Sequence, residues 1–211
     1  MAEFTASLDL KNQLKACIDE RKQTSGQKQM EERRLRVRGG FLTHDDLRRL
    51  FTRPNVMAQL RQDFPDDNED SIGELYTLIR SHGSKMYAIL IWIGESKRVK
   101  KLMFTDKVDD GTLFRIQESD EDIHQSYCKE KTLAKYGGMR PIAQIFYENQ
   151  WIVPPTLPAI ADQIFPPKLF VFPFEKASHY IDSGSYGKVC EMKIADGFLN
   201  IENARVGLST L

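Results

Sequence analysis

Cysteine, long apolar runs and net charge are all scarce in this sequence. The 211 residues include three cysteines, Cys17, Cys128 and Cys190, odd in number and far apart. That spacing argues against a disulfide framework. No two of them form a CxxC pair, so a structural zinc site has no support. The histidines, His44, His82, His124 and His179, are scattered, and none stands at ligand spacing from another histidine or a cysteine. They read as surface or satisfied core residues. The longest apolar run, Met86 to Ile93, is eight residues, far short of the roughly 20 that span a bilayer. The opening MAEFTASLDLKNQ lacks the basic-then-apolar layout of a signal peptide. Lysine plus arginine equals aspartate plus glutamate, 30 each, so no global field draws the chain to nucleic acid or membrane. These absences lead to the expectation of a cytoplasmic or nuclear protein with no membrane partner.

What is present is helical patterning. Leu10, Leu14, Cys17 and Ile18 recur at helix spacing within Phe4 to Ile18,. Gln27 to Arg38 is charged and reads as a solvated helix or a flexible link. Arg21 to Arg38 holds seven basic and two acidic residues but no interleaved aromatics for base stacking, which argues against nucleic acid. After Gly39-Gly40, Thr43 is placed to cap a helix whose first turn carries Asp45 and Asp46. Leu47, Leu50 and Phe51 form its apolar face. Pro54 suits the first turn of the next helix, with Val56, Met57 and Leu60 as the stripe. Ser71 with Glu74 reads as a capping box, followed by Ile72, Leu75, Tyr76 and Ile79. His82-Gly83 is expected to end that helix. MYAILIWI then predicts a helix apolar on every side, and therefore central to the core, with Trp92 in it. Gly94 and Ser96 mark a joint, and Val99, Leu102 and Met103 line the next helix. Asp109-Asp110-Gly111 is a turn, Thr112 to Ile116 a short extended piece, and Ile123 to Ala134 weakly helical. Ile142 to Trp151 is apolar, with no clear periodicity.

Character changes after Trp151. Pro154, Pro155, Pro158, Pro166, Pro167 and Pro173 fall within twenty residues, which prevents regular helix and sheet. An extended strap or linker is expected, which Trp151 is placed to pin to the helices. From Ser178 the pattern turns strand-like, with Asp196-Gly197 as a further turn signal.

The segment IDSGSYGKVCEMKI, Ile181 to Ile194, resembles the glycine-rich loop that opens a protein kinase domain, whose pattern is apolar-G-x-G-x-[FY]-G-x-V. Ile181 takes the leading apolar place, Gly184 and Gly187 the second and third glycine places, Tyr186 the aromatic place and Val189 the valine. Glycines let backbone amides approach phosphate oxygens with no Cβ in the way. The resemblance implies Ile181, Gly184, Ser185, Tyr186, Gly187 and Val189 as nucleotide-binding residues, with ATP and magnesium as the ligand. Asp182 stands at the first glycine place, and its carboxylate opposes phosphate. The layout upstream is similar to the helical N-terminal region of some fungal protein kinases. Phe41-Leu42-Thr43 with Leu47 and Leu50, Tyr87 to Gly94, and Phe146 to Trp151 with Pro154 are the matching pieces.

The rest of a kinase site does not follow in these residues. A strand lysine for the α and β phosphates, an H-R-D loop and a D-F-G aspartate are needed. Of the 22 residues after Val189, none carries them, and Lys193 comes too early. Asp63-Phe64-Pro65 is superficially D-F-G-like but precedes the loop. Asp66-x-Asn68-x-Asp70 begins like a calcium loop, yet Ser71 and Thr77 occupy the glycine and glutamate places. No catalytic and no metal-binding residue is expected.

The expectation is therefore a mainly α protein with a small C-terminal β element. Residues 1–40 form a charged N-terminal helix or arm, 41–151 a helical domain, 152–177 a proline-rich strap, and 178–211 a partial kinase N-lobe. By resemblance it is a truncated protein-kinase-like chain, inactive alone, with a weak ATP contact or a regulatory role toward an unspecified protein partner. The alternative is a helical protein-interaction module unrelated to kinases. An intact small enzyme is a third reading, opposed by the lack of any clustered acid, base or nucleophile.

Overall fold

The computed structural model describes residues 9–24, 41–113, 116–119, 122–125, 130–153, 174–184 and 187–194, with backbone alone for 21–24, 116–119, 122–125, 174–184 and 187–194. The protein is mainly helical.

Helix α1 (Leu10–Thr24) buries Leu10, Leu14, Cys17 and Ile18. These four join the same apolar cluster as residues from 42 to 153, so the helical core extends back across residue 41. Helix α2 (His44–Leu50) starts as its sequence demands. The Asp46 N–H donates to Thr43 Oγ1 at 3.0 Å, and the Thr43 N–H donates to Asp46 Oδ2 at 2.9 Å. This reciprocal capping box satisfies amides that the first turn cannot. Just before it, the Leu42 N–H donates to the Ile152 carbonyl at 2.7 Å, which joins the start of the 41–153 segment to its end.

Helix α3 (Arg53–Asp63) carries Pro54 in its first turn and buries Val56, Met57 and Leu60. Helix α4 (Glu69–Leu78) begins earlier than the expected Ser71-Glu74 box. Asn68 is the cap, its side chain accepting the Ser71 N–H at 2.8 Å. Asparagine is as good a cap as serine, and the earlier start brings Glu69 and Asp70 into the first turn, where the dipole favours them,. The run ends at Gly83 as expected, with φ −134° and ψ 15°, and Ser84 opens the next helix, α5 (Ser84–Trp92); the π-helical turn before it, Ile79–Gly83, was not expected. Glycine here serves packing: a Cβ on Gly83 would lie 2.8 Å from the Met103 methyl.

Met86 to Ile91 are buried without exception, as a helix apolar on all sides requires,. Tyr87 and Phe51 meet edge to face at 5.9 Å within this core. The helix ends in a Schellman motif. The Glu95 N–H reaches the Leu90 carbonyl at 2.8 Å, the Gly94 N–H reaches Ile91, and Gly94 takes φ +79°. Trp92 differs from expectation. It is half-buried at the edge, packed edge to face on Trp151 at 6.2 Å, and its indole N–H donates to Asn149 Oδ1 at 3.2 Å. Trp151 is thus engaged by a helix; of the strap expected over residues 152–177, Ile152 and Val153 are instead buried in the helical core, 174–177 are strand, and 154–173 lie outside the described residues.

Helix α6 (Arg98–Phe104) buries Val99, Leu102 and Met103. Of the extended piece expected from Thr112 to Ile116, Thr112 and Leu113 belong instead to a helical turn, α7 (Asp110–Leu113), which Asp109 caps by accepting the Thr112 N–H at 2.7 Å, while Ile116 is strand. Strands β1 (Ile116–Ser119) and β2 (Asp122–Gln125) pair antiparallel, from Ile116 with Gln125 to Ser119 with Asp122. Of the described residues in the span expected to be weakly helical, Ile123 to Gln125 are strand and α8 (Glu130–Leu133) is helix. The segment without clear periodicity resolves as a short 3-10 turn, α9 (Ala143–Asn149) and a second 3-10 turn, with Phe146 and Ile152 fully buried. Beyond the helices, the backbones of β3 (Phe174–Gly184) and β4 (Gly187–Ile194) run antiparallel.

Candidate functional site

The six residues implied by the kinase resemblance fall on or between β3 and β4. Ile181 and Gly184 lie on β3, Gly187 and Val189 on β4. The register pairs Asp182 with Val189, Ser183 with Lys188 and Gly184 with Gly187. Ser185 and Tyr186 lie outside the described residues, as do the side chains of the other four.

Where side chains are described, charged groups converge at one place, and sequence patterning had not singled it out. A cleft of about 360 Å³ opens between α2, the π turn, the start of α5 and α7. Leu47 lines it as an apolar group, and His44, Arg48, Arg80, Lys85 and Asp110 line it as titratable or charged ones. That volume is at the small end of ligand sites.

Local structure explains each position. On α2, His44 and Arg48 are one helical turn apart, with Leu47 beside them and the buried Leu50 turned away toward the core,. Arg80 and Ser81 lie on the π turn, a geometry that often marks functional places in helices,. The hydroxyl of Ser81 donates to the Thr77 carbonyl at 2.7 Å, and that of Ser84 to Ile79 at 3.0 Å. These bonds occupy their protons and leave the hydroxyl oxygens only as acceptors.

The floor of the cleft is a carboxylate. The Met86 N–H donates to Asp110 Oδ1 at 2.7 Å, and the Lys85 N–H to Asp110 Oδ2 at 2.9 Å. Asp110 therefore closes the N-terminus of α5 from a residue 25 positions later. Burial pushes its carboxyl up to about 6, while the two amide bonds and the Lys85 charge act against that rise. Burial also lowers Lys85, and Asp110 opposes the change. His44 is held below the usual imidazole range by burial and by the positive charges of Arg48, Lys85 and Arg80, against the pull of Asp45. The site thus carries a positive field around one internally satisfied anion.

The groups singled out for other chemistry fall into structural roles. Asp63, of the D-F-G-like triplet, is buried. Gln59 donates to it at 3.2 Å, and the Tyr87 hydroxyl faces it at 3.5 Å. Burial raises its carboxyl, and hydrogen bonds from Ser96 and Gln59 oppose that. In the calcium-like stretch, Asn68 caps α4 and Asp67 pairs with Lys100. Among the described residues, no group of three or more His, Cys, Asp or Glu side chains stands ready for a metal ion, and no helix is long and apolar enough to cross a membrane.

No family model, no curated protein and no solved structure matches the chain.

Proposed function

We propose that this chain is the helical, non-catalytic regulatory region of a protein-kinase-like protein, running into a kinase-type glycine-rich hairpin. The observation that supports this reading is the pairing of Gly184 with Gly187 across a two-residue connection, Ser185-Tyr186. That register puts both glycines at the turn of a hairpin, where backbone amides can approach a phosphate chain. The small C-terminal β element is accordingly read as the first two strands of a kinase N-lobe. ATP with magnesium is its ligand, weakly held because Asp182 stands where the pattern has a glycine and its carboxylate opposes phosphate.

Two measurements test the proposal. Transfer of radiolabelled γ-phosphate to a generic protein substrate should stay at background for the purified chain; reproducible turnover overturns the non-catalytic reading. The transcript read beyond the Leu211 codon should encode a lysine strand, an H-R-D loop and a D-F-G segment. A transcript without them removes the kinase relationship.

A second reading, a helical interaction module unrelated to kinases, draws on the cationic cleft, which is built entirely from the helical body. Retention of partner binding after deletion of residues 154–211 favours it.

A further inference from the structure

We infer that the cleft between α2, the π turn and α7 is a binding site for a dianionic phosphoryl group, carried on a peptide side chain or free in solution.

The inference begins with charge. Arg48, Arg80 and Lys85 line the cleft as cations, and Asp110 is the one carboxylate in its wall. Asp110 spends both oxygens on the Lys85 and Met86 amides, and its charge offsets that of Lys85. Arg48 and Arg80 remain as the surplus, and neither forms an ion pair among the described residues. Two unbalanced guanidinium groups fit an anion of charge near −2. A monocarboxylate leaves one of them uncompensated, whereas a phosphate monoester carries roughly −1.5 to −2 at neutral pH.

Geometry favours the same group. Each guanidinium presents a planar fork of donors, which matches phosphate oxygens two at a time. The two arginines come from different elements, α2 and the π turn, so they can approach one anion from two sides. His44 lies on the α2 wall one turn before Arg48, where its ring N–H can serve as a further donor,. The Ser81 and Ser84 protons are already committed to helix carbonyls, so the donors to a ligand are the cationic side chains. Asp45 lies next to His44 in sequence but does not line the cleft. None of this depends on the glycine-rich hairpin, whose failure as a kinase relative would leave the cleft unchanged.

The test uses the full chain labelled with ¹⁵N and three probes: a short peptide with one phosphoserine, the same peptide with serine, and sodium phosphate. Saturable amide shifts centred on Arg48, Arg80 and Lys85 are expected with the phosphopeptide and not with the serine peptide. If sodium phosphate binds as tightly as the phosphopeptide, the phosphoryl site stands and its source is the free ion. Tighter binding of the phosphopeptide assigns it to modified polypeptide. Arg48→Gln and Arg80→Gln should each weaken binding roughly tenfold, the loss of one charge-assisted contact. Both side chains are exposed, so these variants should keep the parent thermal midpoint. Arg53→Gln, outside the cleft, should change nothing. The inference is overturned by the absence of saturable shifts, by equal binding of the serine peptide, or by unchanged affinity in the Arg48→Gln, Arg80→Gln double variant.

Discussion

Asp110 holds the backbone amide of Met86 at 2.7 Å, so a four-residue helical turn late in the chain secures the start of the most buried helix. Its carboxyl is pushed up to about 6 by burial, from an ordinary value of 3.8. A raised folded-state value means that the native state binds the proton more tightly than the unfolded chain. The stability from this group is then fully present below pH 3.8 and is lost as pH rises through about 6,. The size is about 3 kcal/mol, at about 1.4 kcal/mol per unit of displacement. Asp110→Asn removes the titration. The stability advantage of the parent over this variant should therefore shrink between pH 4 and pH 7. Urea melts followed by circular dichroism across that range check it. Asp63 is displaced the same way, but it titrates in both proteins and cancels in the difference. A flat or rising advantage would contradict the assignment.

The Thr43–Asp46 box makes a second prediction. Both residues are buried, and each supplies a hydrogen bond to the backbone of the other. Thr43→Ala should cost about 1–2 kcal/mol, the upper range for a lost cap. Asp46→Ala should cost a similar amount, since it strands the Thr43 amide in a buried place. Because the bonds are reciprocal, the double variant should lose clearly less than the sum of the two. Denaturant midpoints for the three variants provide the cycle. Strict additivity would mean that the two bonds act independently.

Two glycines should respond to alanine with opposite signs. Gly94 has φ +79° in the Schellman turn after α5. An L side chain there costs roughly 1–2 kcal/mol, although the space around it is open enough for a methyl group. Gly73 lies inside α4 with nothing within 4 Å of an added Cβ. Gly73→Ala should stabilise by about 0.5–1 kcal/mol through helix propensity. Thermal midpoints should therefore fall for Gly94→Ala and rise for Gly73→Ala. A fall in both would place unseen packing around Gly73.

What could be read from sequence was what is local. The Thr43 cap, the helix apolar on all sides and the Gly94 joint each depend on residues within one or two helical turns, and periodicity and cap chemistry report those directly. The stop at Gly83 was legible, but the π turn before it was not, and the packing of Gly83 against Met103 comes from another helix. The cleft escaped for the same reason. His44 and Arg48 look like an ordinary solvated face, and Asp109-Asp110-Gly111 like an ordinary turn. Only the fold brings α2, the π turn and α7 together, and no spacing along the chain encodes a contact between residues 85 and 110. The glycine-rich segment is a reading from the sequence alone, and Ser185 and Tyr186 at its centre lie outside the described residues.

The two tryptophans provide the last prediction, and a direct optical one. They are the full complement of the sequence, and they pack edge to face at 6.2 Å, joining the end of α5 to the last turn of the helical body. Aromatic pairs in this arrangement contribute about 0.5–1.5 kcal/mol beyond the area they bury. A double-mutant cycle with Trp92→Leu and Trp151→Leu should return a coupling of that size. Asn149→Ala removes the acceptor of the Trp92 indole N–H and should cost about 1 kcal/mol, since that bond is part-buried. Near-ultraviolet circular dichroism should show a strong tryptophan signal that falls by more than half in either single variant, because the ring–ring term needs both partners. A coupling near zero, with signals that add, would mean that the rings are not held against each other in solution. The last turn of the helical body would then rest on other contacts, among them the burial of Ile152 and Val153 and the Leu42 amide on the Ile152 carbonyl.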